Sequence, residues 1–322
     1  MSTATTIQSF VEEFLAERHR LGFASRSMGY ALRSFAAHVD GLQITEPLRI
    51  EVMVRWARCP KNASDDHLTW ARRLKILRPF ARWLRQFEPA TEVPDNTIFG
   101  SVAQRLAPHI YTQQEIGDLL AAAHRLQPPL RGATYETLFG LLAATGLRVS
   151  EAVHLLDRDV DLKSGLLQVR QTKFAKSRQV PVHPTTSEAL RRYATLRDRE
   201  VGITEGMPFF VATRGRRRGS ALCLRQVDRI FQCLREELGW VNRGAHAAPR
   251  VHDLRHAFVV NRILRWQKEG IDIDQQMLAL STYVGHVNVT DTYWYLSAVP
   301  ELLALAAEQF EPLRADTEVD HG

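Results

Sequence analysis

The stretch AATGLRVSEAVHL, residues 143–155, closes one apolar run on a glycine and opens another with an arginine, a glutamate following three residues later. Gly146 reads as the end of a helix, because glycine adopts the left-handed closing conformation at least cost. Arg148 then begins the next helix. Most arginines decorate a surface. At a helix start, however, the side chain lies beside free backbone N–H groups and can join them in holding an anion. The rest of the chain has to say which anion, and for what chemistry.

Composition narrows the field. The three cysteines, Cys59, Cys223 and Cys233, are scattered, with no CxxC and no His/Cys cluster. They read as reduced thiols, not as a disulfide framework or a zinc site. No apolar run approaches membrane-spanning length, and MSTATTIQSFVEEF at the start lacks a basic-then-apolar leader pattern, so a cytoplasmic location is expected. Net charge is +6, spread evenly: Lys and Arg outnumber Asp and Glu 14 to 11 in residues 1–100 and 28 to 25 in the remainder. Such a balance only permits nucleic-acid binding; clustering has to make the case.

Apolar periodicity predicts a mainly α chain with a small β component, an α+β fold in two domains. Helices are expected over 5–21, 25–38, 49–58 and 64–87, punctuated by Gly22, Gly41 and Pro60. EPATEVPDN (88–96) reads as a linker, placing the boundary between about 88 and 110 and the domains at 1–100 and 106–322. TQQE (112–115) is a capping-box pattern that starts the second domain. There, helices are expected over 112–125, 133–145, 149–155, 184–198, 223–237, 252–267, 274–282, 289–296 and 299–310. GLLQVRQTKFAKSRQVPV (165–182) reads as a hairpin and MPFFVA (207–212) as a further strand. The polar, acidic tail after about 313 is expected to be unstructured.

The 64–87 helix carries Arg72, Arg73, Lys75, Arg78, Arg82 and Arg85, and no acid from His67 to Phe87. Lys75, Arg78, Arg82 and Arg85 fall on one face, opposite Leu74, Leu77, Ala81 and Leu84. Charge runs are usually solvated faces, but those mix signs in i,i+4 pairs. A stripe of one sign repels itself unless an anion sits against it, which favours phosphate contact. Pro79 is expected to kink or divide this helix. Arg216 and Arg217 in TRGRRRGS (213–220), and Arg225 and Arg229 four residues apart on the 223–237 helix, are further DNA-contact candidates.

Three more stretches join Arg148. QTKFAKSRQVPV (171–182) sets Lys173 and Lys176 at the hairpin turn; VHDLRHAF (251–258) sets His252, Arg255 and His256 within about one helical turn; GHVNVTDTYWYL (285–296) carries His286, Tyr293 and Tyr295. His252 and His256 invite comparison with the metal motif H-E-x-x-H. The acid here is Asp253, no third ligand is evident, and Arg255 would sit beside the metal, so no metal site is expected. Metal-dependent phosphoryl transfer needs carboxylates to hold Mg²⁺. This inventory suits a metal-free route: arginines clamping non-bridging oxygens, lysine protonating a leaving 5′-oxygen, histidine taking a phenolic proton, and a covalent tyrosine nucleophile.

ATGLRVSEAVHL, the QTKFAKSRQVPV hairpin, HDLRH, and Gly-His followed by a tyrosine together resemble the tyrosine recombinases, also known as phage integrases or Xer-type recombinases. The resemblance spans both halves, a helical core-binding (SAM-like) domain and then a catalytic domain. It implies a C-shaped clamp on double-stranded DNA. By motif, the family's catalytic positions fall on Arg148, Lys173, His252, Arg255, His286 and Tyr295, with Glu151 bracing the arginine motif and Lys176 a second choice for the lysine. The family's nucleophile lies nine residues after the Gly-His histidine, which selects Tyr295. Tyr293, about 200° away around the helix, should point elsewhere, in packing or backbone support.

The resemblance further implies a 3′-phosphotyrosyl intermediate without cofactor or metal, and a homotetramer on paired sites linked by exchange of a C-terminal helix at about 299–313. Accessory recombinases or DNA-bending proteins are further expected partners, and the aromatic ending resembles mobile-element integrases. A type IB topoisomerase and a non-catalytic DNA-binding regulator on the same fold are the rival expectations.

Overall fold

The computed structural model describes residues 6–23, 26–43, 47–59, 66–100, 105–170 and 177–298. The chain divides into two compact units, one running to Arg105 and the other starting at Leu106.

The first unit is helical: α1 (Ile7–Arg20), α2 (Arg26–Gly41), α3 (Ile50–Arg58) and α4 (His67–Leu84). Their apolar faces meet in one core, where Val11 and Phe14, Phe35 and Val39, Met53 and Trp56, and Leu74, Leu77, Phe80 and Leu84 are all buried. Asp66 caps α4, accepting from the Leu68 and Thr69 N–H groups, which satisfies donors that a helix start leaves open. α4 is neither stopped nor divided at Pro79. Proline removes one backbone hydrogen bond, but its neighbours Leu77, Phe80 and Ala81 are fully buried, and that packing holds the helix through the gap.

The second unit mixes elements. α5 (Gln113–His124), α6 (Pro129–Thr145) and the short α7 (Val149–Val153) lead into β1 (Val160–Asp161), β2 (Leu166–Val169) and β3 (Arg178–Pro181). These form one antiparallel sheet in the order β1-β2-β3, with Leu167 opposite both Val160 and Val180 and Val169 opposite Arg178. Then come α8 (Pro184–Val201), α9 (Leu224–Leu238), α10 (Asp253–Lys268), α11 (Ile273–Val284) and α12 (Thr290–Ala298). The capping box at α5 is present, with Thr112 and Glu115 bonding each other's backbone N–H.

Two expectations are corrected. The 207–212 segment is not a strand of the sheet; it makes single bridges, Leu156 with Pro208 and Val211 with Ala221. Phe209 to Ala212 are all buried, and their polar groups are met separately. Phe209 N–H donates to the Leu155 carbonyl, Val211 N–H to the Tyr193 hydroxyl and Ala212 N–H to the Ser220 carbonyl. Apolar content on both faces makes an extended core segment look like a strand. In addition, β1 is a short third strand that the hairpin prediction omitted. The expected 299–313 helix and the acidic tail lie outside the described residues.

Candidate active site

Backbone geometry sets the site's floor. Gly146 ends α6 with φ +62°, and a Cβ there would lie 2.6 Å from the Phe258 ring; both conformation and space require glycine. The chain emerges as Arg148, whose guanidinium donates to Glu151 Oε1 at 2.7 Å and to the Gly285 carbonyl at 2.9 Å. Its own N–H is taken by Glu151 Oε2. The cation is thus presented by the side chain, and the Arg148 backbone N–H is not available to an anion as the sequence suggested.

Glu151 holds a second arginine that the sequence did not single out. Arg178, at the start of β3, donates to both Glu151 oxygens at 3.1 and 2.9 Å and to the Tyr283 carbonyl at 2.9 Å. Gly285, with φ +73°, covers it so closely that a Cβ would lie 2.6 Å from Arg178 Nη1. Burial alone would raise the Glu151 pKa; the Arg178 and Arg148 hydrogen bonds and charges overcome it and hold the carboxyl below its usual range. The signal for Arg178 was present, as an arginine flanking the lysine turn, but only the fold pairs it with a glutamate 27 residues away.

α10 brings the next groups. Asp253 is fully buried and accepts from the backbone and side chain of Arg250. Arg255 is 3% exposed; Nη1 donates to the Gly146 carbonyl at 2.6 Å, while Nη2 is buried with no hydrogen-bond partner among the described residues. Burial, with Arg148 adding, pulls its pKa down to about 10. It remains a cation at neutral pH, desolvated and incompletely partnered, which is costly unless an anion meets it. His252 is exposed at its edge of the site, yet desolvation by the atoms packed around it, and then Arg255 and Arg250, lower its pKa to about 4.

The two tyrosines separate clearly. Tyr295 is 2% exposed, its hydroxyl 2.7 Å from His256 Nδ1 and its ring stacked at 6.5 Å on His286. His286 is oriented by Thr292 Oγ1, 2.7 Å from Nδ1. Tyr293 is 37% exposed and donates to Asp274 at 3.1 Å, so it is a surface residue with a polar partner and not a packing residue. Arg148, His252, Arg255, His286 and Tyr295 therefore converge. Lys173 and Lys176 lie outside the described residues. His256, which the motif resemblance leaves without a role, lies against the nucleophile candidate.

The DNA-contact candidates are dispersed. Arg72, Lys75, Arg82 and Arg85 are exposed on α4. Arg78 is half-buried and already donates to the Asp95 carbonyl and Asn96, because its position faces the chain after the helix. Arg225 and Arg229 are exposed on α9. Arg216 and Arg217 are exposed too, but neighbouring Arg214 bonds the Gln127 carbonyl just before α6. That is the end of α6 remote from Gly146, about 25 Å away at 1.5 Å per residue.

The family model described as the phage integrase family matches residues 110–301, a span that contains every residue of this cluster. The chain belongs to the phage integrase family and is a tyrosine recombinase. A Sinorhizobium fredii protein named as an integrase/recombinase, y4rB, is 35% identical over 314 residues, covering 95% of this chain and 98% of its own. Among solved structures, the Tn1549 transposon integrase in complex with a circular intermediate DNA is similar with a TM-score of 0.64 at 15% identity, covering 94% of this chain and 99% of that one. The XerH site-specific recombinase bound to a difH substrate has a TM-score of 0.63 at 16% identity, over 89% and 79% of the two chains. At such identities these two share the recombinase fold, a helical protein with one small sheet.

Proposed function

We propose that this recombinase cleaves and rejoins duplex DNA through a 3′-phosphotyrosyl bond to Tyr295. The observation that carries it is Arg255 Nη2, a buried cationic donor without a partner among the described residues, beside the buried Tyr295 hydroxyl. A phosphodiester between Arg148 and Arg255 meets that donor, and the two guanidinium groups stabilise charge on the non-bridging oxygens as the phosphorus becomes five-coordinate. Tyr295 Oη bonds to phosphorus as the bond to the 5′-oxygen breaks. The phenolic proton leaves to His252, and the 5′-oxygen takes a proton from Lys173. Attack by the 5′-hydroxyl of a partner strand reverses the step, so the phosphoester energy is retained and no nucleotide is consumed.

The nearby carboxylates, Glu151 and Asp253, are already engaged by arginines, which supports a route without Mg²⁺. The α4 face and the first unit contribute sequence-independent phosphate contacts, and the 299–313 segment links protomers into a tetramer on paired sites.

The test is covalent capture of nicked duplexes in EDTA. Tyr295→Phe is expected to abolish adducts and keep binding, while Tyr293→Phe cleaves like the parent. Adducts on the Tyr295→Phe protein, or cleavage that returns only with Mg²⁺, would overturn this mechanism. Relaxation of supercoiled DNA without any exchange between two duplexes would instead indicate topoisomerase-like action.

A further inference from the structure

Tyr295 packs where its hydroxyl has little freedom. The ring sits in a cluster with Val259, Val260 and Ile263 of α10 and Met277, Leu280 and Val284 of α11. A phenol buried this deeply needs a polar partner for its O–H. α10 supplies His256 one turn beyond His252, its Nδ1 2.7 Å from Tyr295 Oη. The two imidazoles meet edge to face at 5.0 Å, so the neighbouring His252 ring restricts how His256 can turn.

Burial, then His252, Arg250, Arg255 and His286, hold the His256 pKa far below its ordinary value. The ring is therefore neutral at neutral pH and can accept a hydrogen bond at Nδ1 with its proton on Nε2. The same low basicity makes it a poor resting place for a proton. Orientation is what it can supply: a phenol O–H rotates about its C–O bond, and a fixed acceptor for the proton sets the direction of the oxygen lone pairs.

We propose that His256 is a positioning residue for the nucleophile, fixing the Tyr295 hydroxyl so that an oxygen lone pair faces the phosphate held by Arg148 and Arg255. This rests on Tyr295 being the nucleophile. A hydrogen bond that only satisfied a buried phenol would affect folding and leave the chemical step unchanged.

The test uses full-length protein and nicked duplexes recovered from a randomised pool by covalent capture with the parent. Single-turnover adduct formation is read on a denaturing gel, with binding measured in parallel. His256→Leu, which removes the acceptor at similar volume, is expected to slow adduct formation about 100-fold at unchanged binding, the scale of a misplaced reacting group. His256→Asn, whose amide oxygen can lie near the Nδ1 position, is expected to recover much of the rate. A substrate with sulfur at the bridging 5′ position, whose thiolate leaves without needing a proton, should not relieve the His256→Leu defect. A parental rate in His256→Leu overturns the proposal, and so does relief by sulfur, which would place His256 on the leaving-group side. If His256→Leu fails to fold, His256→Asn is compared with His256→Gln, which reaches the Nε2 position; equal rates sink the idea. Adducts on Tyr295→Phe remove the nucleophile assignment itself, whereas a dead Tyr295→Phe beside a normal His256→Leu removes this proposal alone.

Discussion

Arginine does different work in the two units. On α4, Arg72, Lys75, Arg82 and Arg85 stand exposed along a helix that carries no acidic residue between His67 and Leu84. Around Gly146 and Gly285, Arg148, Arg178 and Arg255 are tethered to backbone carbonyls, and the first two share one carboxylate, Glu151. Exposed cations act through a screened field, and each adds a small, salt-sensitive increment. Desolvated, carbonyl-anchored cations are preorganised, so each one acts through geometry. On the proposed mechanism, the same residue type serves attraction in one place and chemistry in the other.

The contrast is most exposed to disproof at Arg255. Replacement by Lys keeps the charge but not the planar fork that reaches both the Gly146 carbonyl and a second acceptor. Arg255→Lys is expected to slow single-turnover cleavage about 10²- to 10³-fold, as loss of one preorganised donor does, while DNA binding changes little. A parental cleavage rate would mean that this cation, like those on α4, contributes only charge.

A second test concerns the protons of the site. His252, pulled from 6.5 to about 4, stays neutral in the folded chain while the unfolded chain protonates. Unfolding then takes up a proton between those values, so stability falls as pH drops from about 6.5 towards 4. Glu151 extends the loss to lower pH: its pKa is depressed from 4.5, so its contribution is present above that pH and is lost as pH falls through the folded value. The Tm of the parent should therefore decline across that window, and His252→Gln should flatten the decline. An unchanged slope in His252→Gln would show that this ring is solvated like a surface histidine.

The smallest effect is expected on α4. Removing Arg82 and Arg85 together should weaken binding for all sequences alike and flatten the dependence of log K on log salt by roughly 0.9 per lost contact. Cleavage of the bound duplex should be untouched. An unaltered salt slope would make that face merely solvated.

Much of this was legible in the linear sequence. Helical periodicity located α1 to α6 and α8 to α12 closely, because amphipathic faces and caps are local features. The motif residues Arg148, His252, Arg255 and Tyr295 could be picked out because the stretches around them resemble the tyrosine recombinase motifs, among them Gly146, Glu151 and the Gly-His pair. The 207–212 segment misled because burial on both faces looks the same for a strand and for a threaded core segment. Continuity of α4 through Pro79 was missed because a local hydrogen-bond loss was outweighed by packing from three other helices.

What the sequence by itself determined is the set of chemical groups and the helices that carry them; the resemblance to the tyrosine recombinases pointed to Tyr295 over Tyr293. What only the tertiary structure decided is which groups face one another. Arg178 meets Glu151, Arg255 meets the Gly146 carbonyl, and His256 meets the Tyr295 hydroxyl across 27, 109 and 39 residues of chain. No local propensity encodes such pairs. They exist because α6, α7 and β3 share one apolar core and α10, α11 and α12 another, and burial forces each polar group at its edge to find a partner from whichever element arrives there.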